Sequence, residues 1–366
     1  MIKILSIKVI FTLLAFVLLF SSIVMAVSST EVNMNVNNSI PLQTEVVDEL
    51  TAQNDNSNND TGTKKETEKN TNKTQSEEEI NEKKSNMHEV FNRHTKQFNK
   101  NDNLKYTNVQ GFCSDGQYWY IALLTHPDDT KNYTDQTTTL LKIDISTKEI
   151  VGRNVIGKIG HSNSLAYNSK TNKIYSASCS KEQKAFLYEF DASTLEKSKE
   201  KVYLYDEDGK NIKDMSVGAI AYNSKKDQYI AKMNHNQKEV WLFDSNFKYI
   251  KKITIEKHSL NGDGLKGQGL TCDEEKFYSV CCDTNGNKPP FKNYVLIYDM
   301  NGNGEDKKEL KKVFKRKPNY KSKVEMEQIA FANGTCYSLS NVTKIIEDGK
   351  KEKKEKVFMI DKLDLK

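Results

Sequence analysis

Glu325 and Glu327 stand two residues apart in the run VEMEQIAFA, and His161 opens the run HSNSLAYN. Two carboxyl groups and an imidazole are the parts of a general acid–base device, provided that burial raises one carboxyl pKa while the imidazole shuttles protons near neutrality. Glycoside cleavage asks for two carboxylates facing each other across a bond. Two glutamates side by side on one strand do not supply that geometry alone; Asp128, Asp129 and Asp263, in loop-like stretches, are candidate partners. The chain has no G-x-S-x-G, no H-E-x-x-H and no phosphate-binding glycine loop. Hydrolase or lyase chemistry would therefore rest on Glu325, Glu327 and His161.

A second candidate is the run Asp299-Met300-Asn301-Gly302-Asn303-Gly304. Oxygen ligands at Asp299, Asn301 and Asn303, with a glycine for the sharp turn, are what calcium requires. Glu309 falls one residue short of the last EF-hand ligand, and the competing reading is a plain Gly/Asn-rich connection. Asp206–Asp214 is a weaker version of the same pattern. The six cysteines (113, 179, 272, 281, 282, 336) show no zinc spacing. In an exported chain Cys113 and Cys336 could pair, although strand cysteines more often pack as buried thiols.

The elements that must position these residues are repeats. HSNSLAYNSKTNKIY at 161–175 returns as GFCSDGQYWY (111–120), AIAYNSKKDQY (219–229), GLTCDEEKFY (269–278) and QIAFANGTCY (328–337). Each has a short apolar strand, a polar turn and a second strand carrying a tyrosine. A third run then ends in Asp: LLKID, LYEFD, VWLFD, VLIYD and VFMID, with aspartates at 144, 191, 244, 299 and 361. Spacings near fifty residues, β-branched and aromatic strands, and turns such as Asp115-Gly116 and Asn333-Gly334 predict an all-β fold, a five-bladed β-propeller. A β-sandwich or a six-bladed ring with a cryptic unit are the competing folds. KVYLY (201–205) and YIKKITI (249–255) are candidate outer strands. Either 362–366 or the segment between Phe91 and Tyr106 is expected to supply the last blade's edge, which would otherwise lie open.

Aligning first strands on Phe112, Leu165, Ile220, Leu270 and Ile329 puts Gln110, Asn163, Gly218, Gln268 and Glu327 two positions upstream. Asn108, His161, Ser216, Lys266 and Glu325 fall four positions upstream. Side chains two apart share a strand face, so both sets are expected at one mouth of the central channel. The expected ligand-binding residues are Asn108, Gln110, His161, Asn163, Gln268 and Glu327, a polar concavity suited to a hydroxylated ligand. The competing reading is hydrated channel lining.

HSNSLAYNSKTNKIYSAS, GLTCDEEKFYSV and FDSNFKYIKKI resemble repeats of secreted bacterial β-propellers, broadly the lactonase-like and NHL-like group; the likeness runs from Asn108 onward. These families include binding scaffolds, lyases and hydrolases, so the resemblance implies a fold and no single activity.

Hydrophobic residues make up only 36% of the 366, too few for a chain folded throughout, so part of it is expected to be disordered. Lys3 and Lys8 precede an apolar run, Val9–Phe20, and then Val24-Met25-Ala26, the pattern of a secretory signal peptide cleaved after Ala26. An uncleaved membrane anchor is the alternative for 1–27. Residues 28–103, rich in Asn, Thr, Glu and Lys, read as a disordered spacer; Glu and Lys at helical spacings around Ile80, Val90 and Phe91 allow a short helix in 77–100. Residues 104–366 form the propeller. The net charge of +5 comes from 55 basic and 50 acidic residues mixed along the chain, which makes no case for nucleic acid.

The expectation is an exported or surface-tethered propeller. Its channel mouth would bind a carbohydrate-like or other small polar molecule, a cell-surface glycan or an extracellular protein partner. The rivals are a hydrolase or lyase acting at the same mouth, and a calcium-stabilised adhesion head.

Overall fold

The structure, a computed structural model, describes residues 85–99, 103–125, 136–178, 184–234, 238–255, 266–283, 291–312, 320–348 and 351–365. The expected signal segment and most of the spacer, together with Asp128, Asp129, Cys179 and Asp263, lie outside the described residues. No described helix is long and apolar enough to cross a membrane.

The described residues begin with a strand, β1 (Met87–His94), and a 3-10 turn at Thr95–Phe98. Blade I is β2 (Tyr106–Ser114), β3 (Tyr118–Thr125), β4 (Thr137–Asp144) and β5 (Ile150–Lys158). Blade II is β6 (Ser164–Asn168), β7 (Lys173–Ala177), β8 (Phe186–Asp191) and β9 (Lys197–Tyr203). Blade III is β10 (Val217–Asn223), β11 (Gln228–Met233), β12 (Glu239–Phe243) and β13 (Tyr249–Thr254). Blade IV is β14 (Lys266–Cys272), β15 (Lys276–Asp283), β16 (Lys292–Asp299) and β17 (Gly304–Leu310). Blade V takes β18 (Tyr320–Ala332), β19 (Thr335–Asp348) and β20 (Lys351–Leu363) from the end of the chain and β1 from its other side, in the order β1-β20-β19-β18. The first strands touch in a closed cycle, β2–β6–β10–β14–β18–β2, so the fold is a five-bladed β-propeller.

Local chemistry explains the repeat. The Oδ1 atoms of Asp144, Asp191, Asp244 and Asp299 each accept two backbone N–H groups of the turn that follows, at 2.8–3.0, 2.9–3.1, 2.8–2.9 and 2.8–3.0 Å respectively. An aspartate that satisfies its own turn ends the third strand and starts the fourth. Tyrosines do similar work at the inner hairpin: the hydroxyls of Tyr120 and Tyr278, on second strands, and of Tyr222, on the first strand of blade III, donate to Asp115, Asp273 and Asp227 at 2.7, 2.6 and 2.7 Å.

Apolar side chains collect in five clusters, one in each seam between neighbouring blades. Asparagines at the ends of inner strands staple those seams. Asn168 donates to the Tyr229 hydroxyl (2.6 Å), Asn223 to the Asp273 carbonyl (2.9 Å) and Asn333 to the Gly116 carbonyl (2.8 Å).

Blade V corrects three expectations. Its edge strand is Met87–His94, not the tail beyond Asp361 and only in its last four residues the segment after Phe91, so the folded domain starts well before residue 104. The Glu, Lys, Val90 and Phe91 spacing reads as a helix because the strand carries a bulge between Glu89 and Phe91. One extra residue reverses which face is buried: Met87 packs in the seam toward blade IV and Phe91 in the seam toward blade I. β9 also starts earlier than the expected 201–205. Finally, the repeat aspartate of blade V is not Asp361. Asp361 stands opposite Ser338, as Leu296 stands opposite Ser279, and Asp299 lies three residues beyond Leu296. The equivalent of Asp299 is therefore Asp364, which meets His88 of β1 at 3.0 Å where the chain is interrupted.

Candidate functional site: the mouth between blades I and V

Five backbones converge at the centre, and the residue before each alignment position is Gly111, Ser164, Ala219, Gly269 or Gln328. Two glycines are obligatory there. A Cβ on Gly111 would lie 2.6 Å from Leu165 Cγ, and one on Gly269 only 2.5 Å from Gln328 Cγ. Gln328 breaks this column of small residues and fills the axis. Its Oε1 accepts the N–H groups of Phe112 (2.8 Å) and Leu165 (3.0 Å). Its Nε2 donates to the carbonyls of Leu165 (2.9 Å) and Leu270 (2.8 Å). All four hydrogen-bonding positions of the amide are used, so three other blades are tied to blade V and the expected channel is plugged.

Above this plug lies Glu327, 1% exposed, in a bulge of β18. Bulges also interrupt β2 around Gln110, β10 at Gly218 and β14 around Gln268, so strict two-residue alternation fails at the position where it was expected to aim the ring. Glu327 Oε1 accepts from Asn341 Nδ2 at 2.6 Å, and Gln110 also hydrogen-bonds this carboxyl. Its Oε2 is buried with no protein partner. Burial, reinforced by the neighbouring Glu325 carboxyl, pushes the Glu327 pKa well above the usual range despite these two amide donors. Burial also raises Glu325, offset by Lys266, by a 3.1 Å hydrogen bond from Gln268 and by Lys323.

Glu325 opens onto a pocket of about 260 Å³ between blade I and blade V, shared with Asn108, Lys323, Asn341, Thr343 and Lys356. The three long strands of blade V form its wall. Register places Lys321, Ile345 and Lys354 in one cross-strand row and Lys323, Thr343 and Lys356 in the next, with Glu325 and Asn341 below them. Directly opposed residues share a face, so four lysines surround Thr343 and Ile345 above the pocket. Desolvation, followed by the nearby Lys105 charge, lowers the Lys356 pKa.

Of the expected binding residues, Glu327 gathers Gln110, Glu325 gathers Gln268, and Asn108 joins Glu325 in the pocket. His161 sits elsewhere, its Nδ1 2.5 Å from Gln136 Oε1 of blade I. Asn163 is buried and donates to the Gly218 carbonyl at 2.9 Å, a staple between blades II and III. His161 is therefore not placed to exchange protons with the two glutamates. Sequence reading missed Asn341, which belongs to a second strand outside the alignment and enters only through its pairing opposite Glu325. It also missed Gln328, although a glutamine in a column of Gly, Ser and Ala was a visible signal.

The calcium-type loop repeats the other Asp turns. Asp299 Oδ1 accepts two turn N–H groups and Oδ2 accepts Asn303 Nδ2 at 2.6 Å, so Asn303 is a donor to the carboxylate rather than an oxygen aligned with it. No group of three His, Cys, Asp or Glu able to hold a metal occurs among the described residues. Cys113 and Cys336 are free, buried thiols in different seams, I–II and IV–V, in keeping with the reading of strand cysteines as buried thiols and not with a pair across the closure.

No protein-family model matches the chain, and no curated protein matches it. Among solved structures it is similar to the β-propeller domain of the Trilobed protease from Pyrococcus furiosus, at 12% identity and TM-score 0.31 over 69% of this chain and 83% of that one. It is similar to the WD40 repeats of RRP9 at 9% identity and TM-score 0.36, over 73% and 84% of the two chains. A candidate 6-phosphogluconolactonase from Bacteroides uniformis follows at 12% identity and TM-score 0.32, over 68% and 69%. At these values the likeness says nothing of chemistry, and the five-bladed propeller rests on the strand pairing described above.

Proposed function

We propose that this chain is an exported propeller that binds a small, hydroxylated and negatively charged ligand of carbohydrate type in the pocket between blades I and V. The observation that carries the reading is the pairing of two surfaces there. Asn108 and Glu325 offer hydroxyl-binding groups at the floor, and the four-lysine face rises directly above them. A cluster of ammonium groups beside the pocket attracts an anion. Behind the floor, the buried Oε2 of Glu327 has no protein partner and is open to a hydrogen bond. The export part of the proposal rests on Lys3, Lys8, the apolar run and Ala26.

A hydrolase or lyase at the same place is the second reading, favoured by the coupled carboxyls of Glu325 and Glu327. Against it, Glu327 is 1% exposed and its Oε1 is held by Asn341, away from a substrate.

Mass spectrometry of acidic and neutral oligosaccharides equilibrated with the protein separates the two readings. Capture of acidic sugars, weakened by at least about tenfold in Lys323→Ala/Lys356→Ala and in Glu325→Gln, is the expected result. New product masses that vanish in Glu327→Gln would replace binding with catalysis. Absence of capture and of product would remove both readings.

A further inference from the structure

Two neighbouring seams carry a serine at one equivalent position and answer it differently. Ser279 of β15 stands opposite Leu270 and Leu296, and Ser338 of β19 stands opposite Ile329 and Asp361, so the two serines hold the same place in blades IV and V. In the seam between blades III and IV, Lys232 reaches across from β11 and its ammonium donates to Ser279 Oγ at 2.7 Å. Lys232 follows Ala231, the counterpart of Ser279 in blade III, as Val280 follows Ser279 in blade IV. Val280 packs in the seam between blades IV and V. A valine stops several bonds short of the point that a lysine ammonium reaches, and Ser338 Oγ is buried with no protein partner.

Ser338 is one of three residues with such an atom on one face of blade V. Cys336 and Val342 pack in the seam toward blade IV and Leu339 in the seam toward blade I, so alternation along β19 turns Ser338 and Ser340 toward blade IV. Asp361, directly opposite Ser338, faces the same way as Met359. Ser338 Oγ, Ser340 Oγ and Asp361 Oδ2 are all without a protein hydrogen-bond partner, and all three residues are 0% exposed. Blades I to IV place Leu141, Tyr188, Trp241 and Leu296 where blade V has Asp361. This seam therefore gives up side-chain volume at the point where it gains polar atoms.

We propose that the seam between blades IV and V holds a resident water molecule, at the place equivalent to the Lys232 ammonium of the preceding seam. It joins Ser338 Oγ, Ser340 Oγ and Asp361 Oδ2, about the three hydrogen bonds that an internal water makes. Ile329, Met326 and Met359, which stand opposite the two serines, are buried beside it. A cation does not suit the place: the Lys312 ammonium already answers Asp361, and a further positive charge would lie unpaired among apolar side chains. An anion would meet the Asp361 carboxyl.

The test is a crystal structure at a resolution that shows ordered water, with magnetic relaxation dispersion of the solvent counting long-lived internal waters in solution. A density peak within hydrogen-bonding distance of Ser338 Oγ, Ser340 Oγ and Asp361 Oδ2 is expected. Ser338→Ala/Ser340→Ala leaves Asp361 as the sole polar partner, too few to hold a water in an apolar seam, so the peak should vanish and the dispersion amplitude fall. Ser279→Ala in the neighbouring seam should leave the peak in place. Crystals soaked in thallium(I), a stand-in for potassium, should show no anomalous signal there. An empty seam in the density of the unaltered protein, a peak that survives the serine double variant, or a thallium signal at the site would overturn the proposal.

Discussion

Asp361 of β20 occupies in blade V the place that Leu296 holds in blade IV, each directly opposite the equivalent serine of the neighbouring strand. A carboxyl group has thereby been set at an apolar core position, 0% exposed. It is answered by the ammonium of Lys312, itself 7% exposed in its side chain, which also lies 3.7 Å from Glu89 of β1. The ion pair thus ties together the segment after β17, the last strand and the N-terminal strand.

Breaking that pair from one side is expected to be severe. Asp361→Asn leaves a buried ammonium short of its counter-charge and should cost about 3–5 kcal/mol, whereas Asp361→Leu with Lys312→Met should be neutral or stabilising by about 1–4 kcal/mol. Urea denaturation of the two variants measures both. Equal losses would mean the pair is not acting as a buried unit.

Closure of the ring depends on β1. A chain beginning at Leu104 lacks Met87, Phe91 and Phe98, which fill the seams on either side of blade V, and leaves the β20 edge unpaired. It is expected to aggregate or to melt well below a chain beginning at Ser85, as read by circular dichroism on heating. Equal melting temperatures would show that the latch is dispensable.

Gln328 should be among the least replaceable residues of the axis. Gln328→Ala strands two N–H groups and two carbonyls in a buried place, and at about 1–3 kcal/mol for each unmet group the loss should exceed about 3 kcal/mol. Gly269→Ala should be comparably damaging because its Cβ meets Gln328 at 2.5 Å. Equilibrium unfolding of both variants tests this.

Lys232 gives stability a defined pH dependence. It is 1% exposed, donates to Ser279 Oγ at 2.7 Å, and burial lowers its pKa from 10.5 to about 8. Between pH 8 and 10.5 the unfolded chain holds the proton and the folded chain does not, so stability rises with pH across this window and is flat below it. Lys232→Met should remove that slope and stabilise the protein at pH 7 by an amount on the order of 2–3 kcal/mol. A slope that persists in the variant would assign it to another group.

Asp299 is expected to behave as a turn residue. Asp299→Ala should cost about 1 kcal/mol, as should Asp144→Ala, since each loses the same pair of turn hydrogen bonds. Millimolar calcium should leave the melting temperature of the unaltered protein unchanged. A calcium-dependent rise lost in Asp299→Ala would restore the loop as a cation site.

Much of the fold was legible because its signals are local. An Asp that caps the next turn recurs in four blades and a Tyr that binds the hairpin Asp in three, and both act on neighbours a few residues away. Blade V misled because its closing Asp364 follows an accidental Asp361 by three residues, and only strand register tells them apart. At the mouth, the first-strand alignment found Glu325, Glu327, Gln110, Gln268 and Asn108. It also collected His161 and Asn163, since alternation alone cannot reveal a bulge.

The sequence by itself determined that five hairpin-rich units form strands, where their turns fall, and that the axis needs small residues, because these follow from short-range hydrogen bonding and steric size. Only the tertiary structure decided that β1 closes blade V, that Asn341 joins Glu327 and that Gln328 plugs the axis. Those outcomes depend on register and on neighbours brought together from distant parts of the chain, and no periodicity within a single strand encodes them.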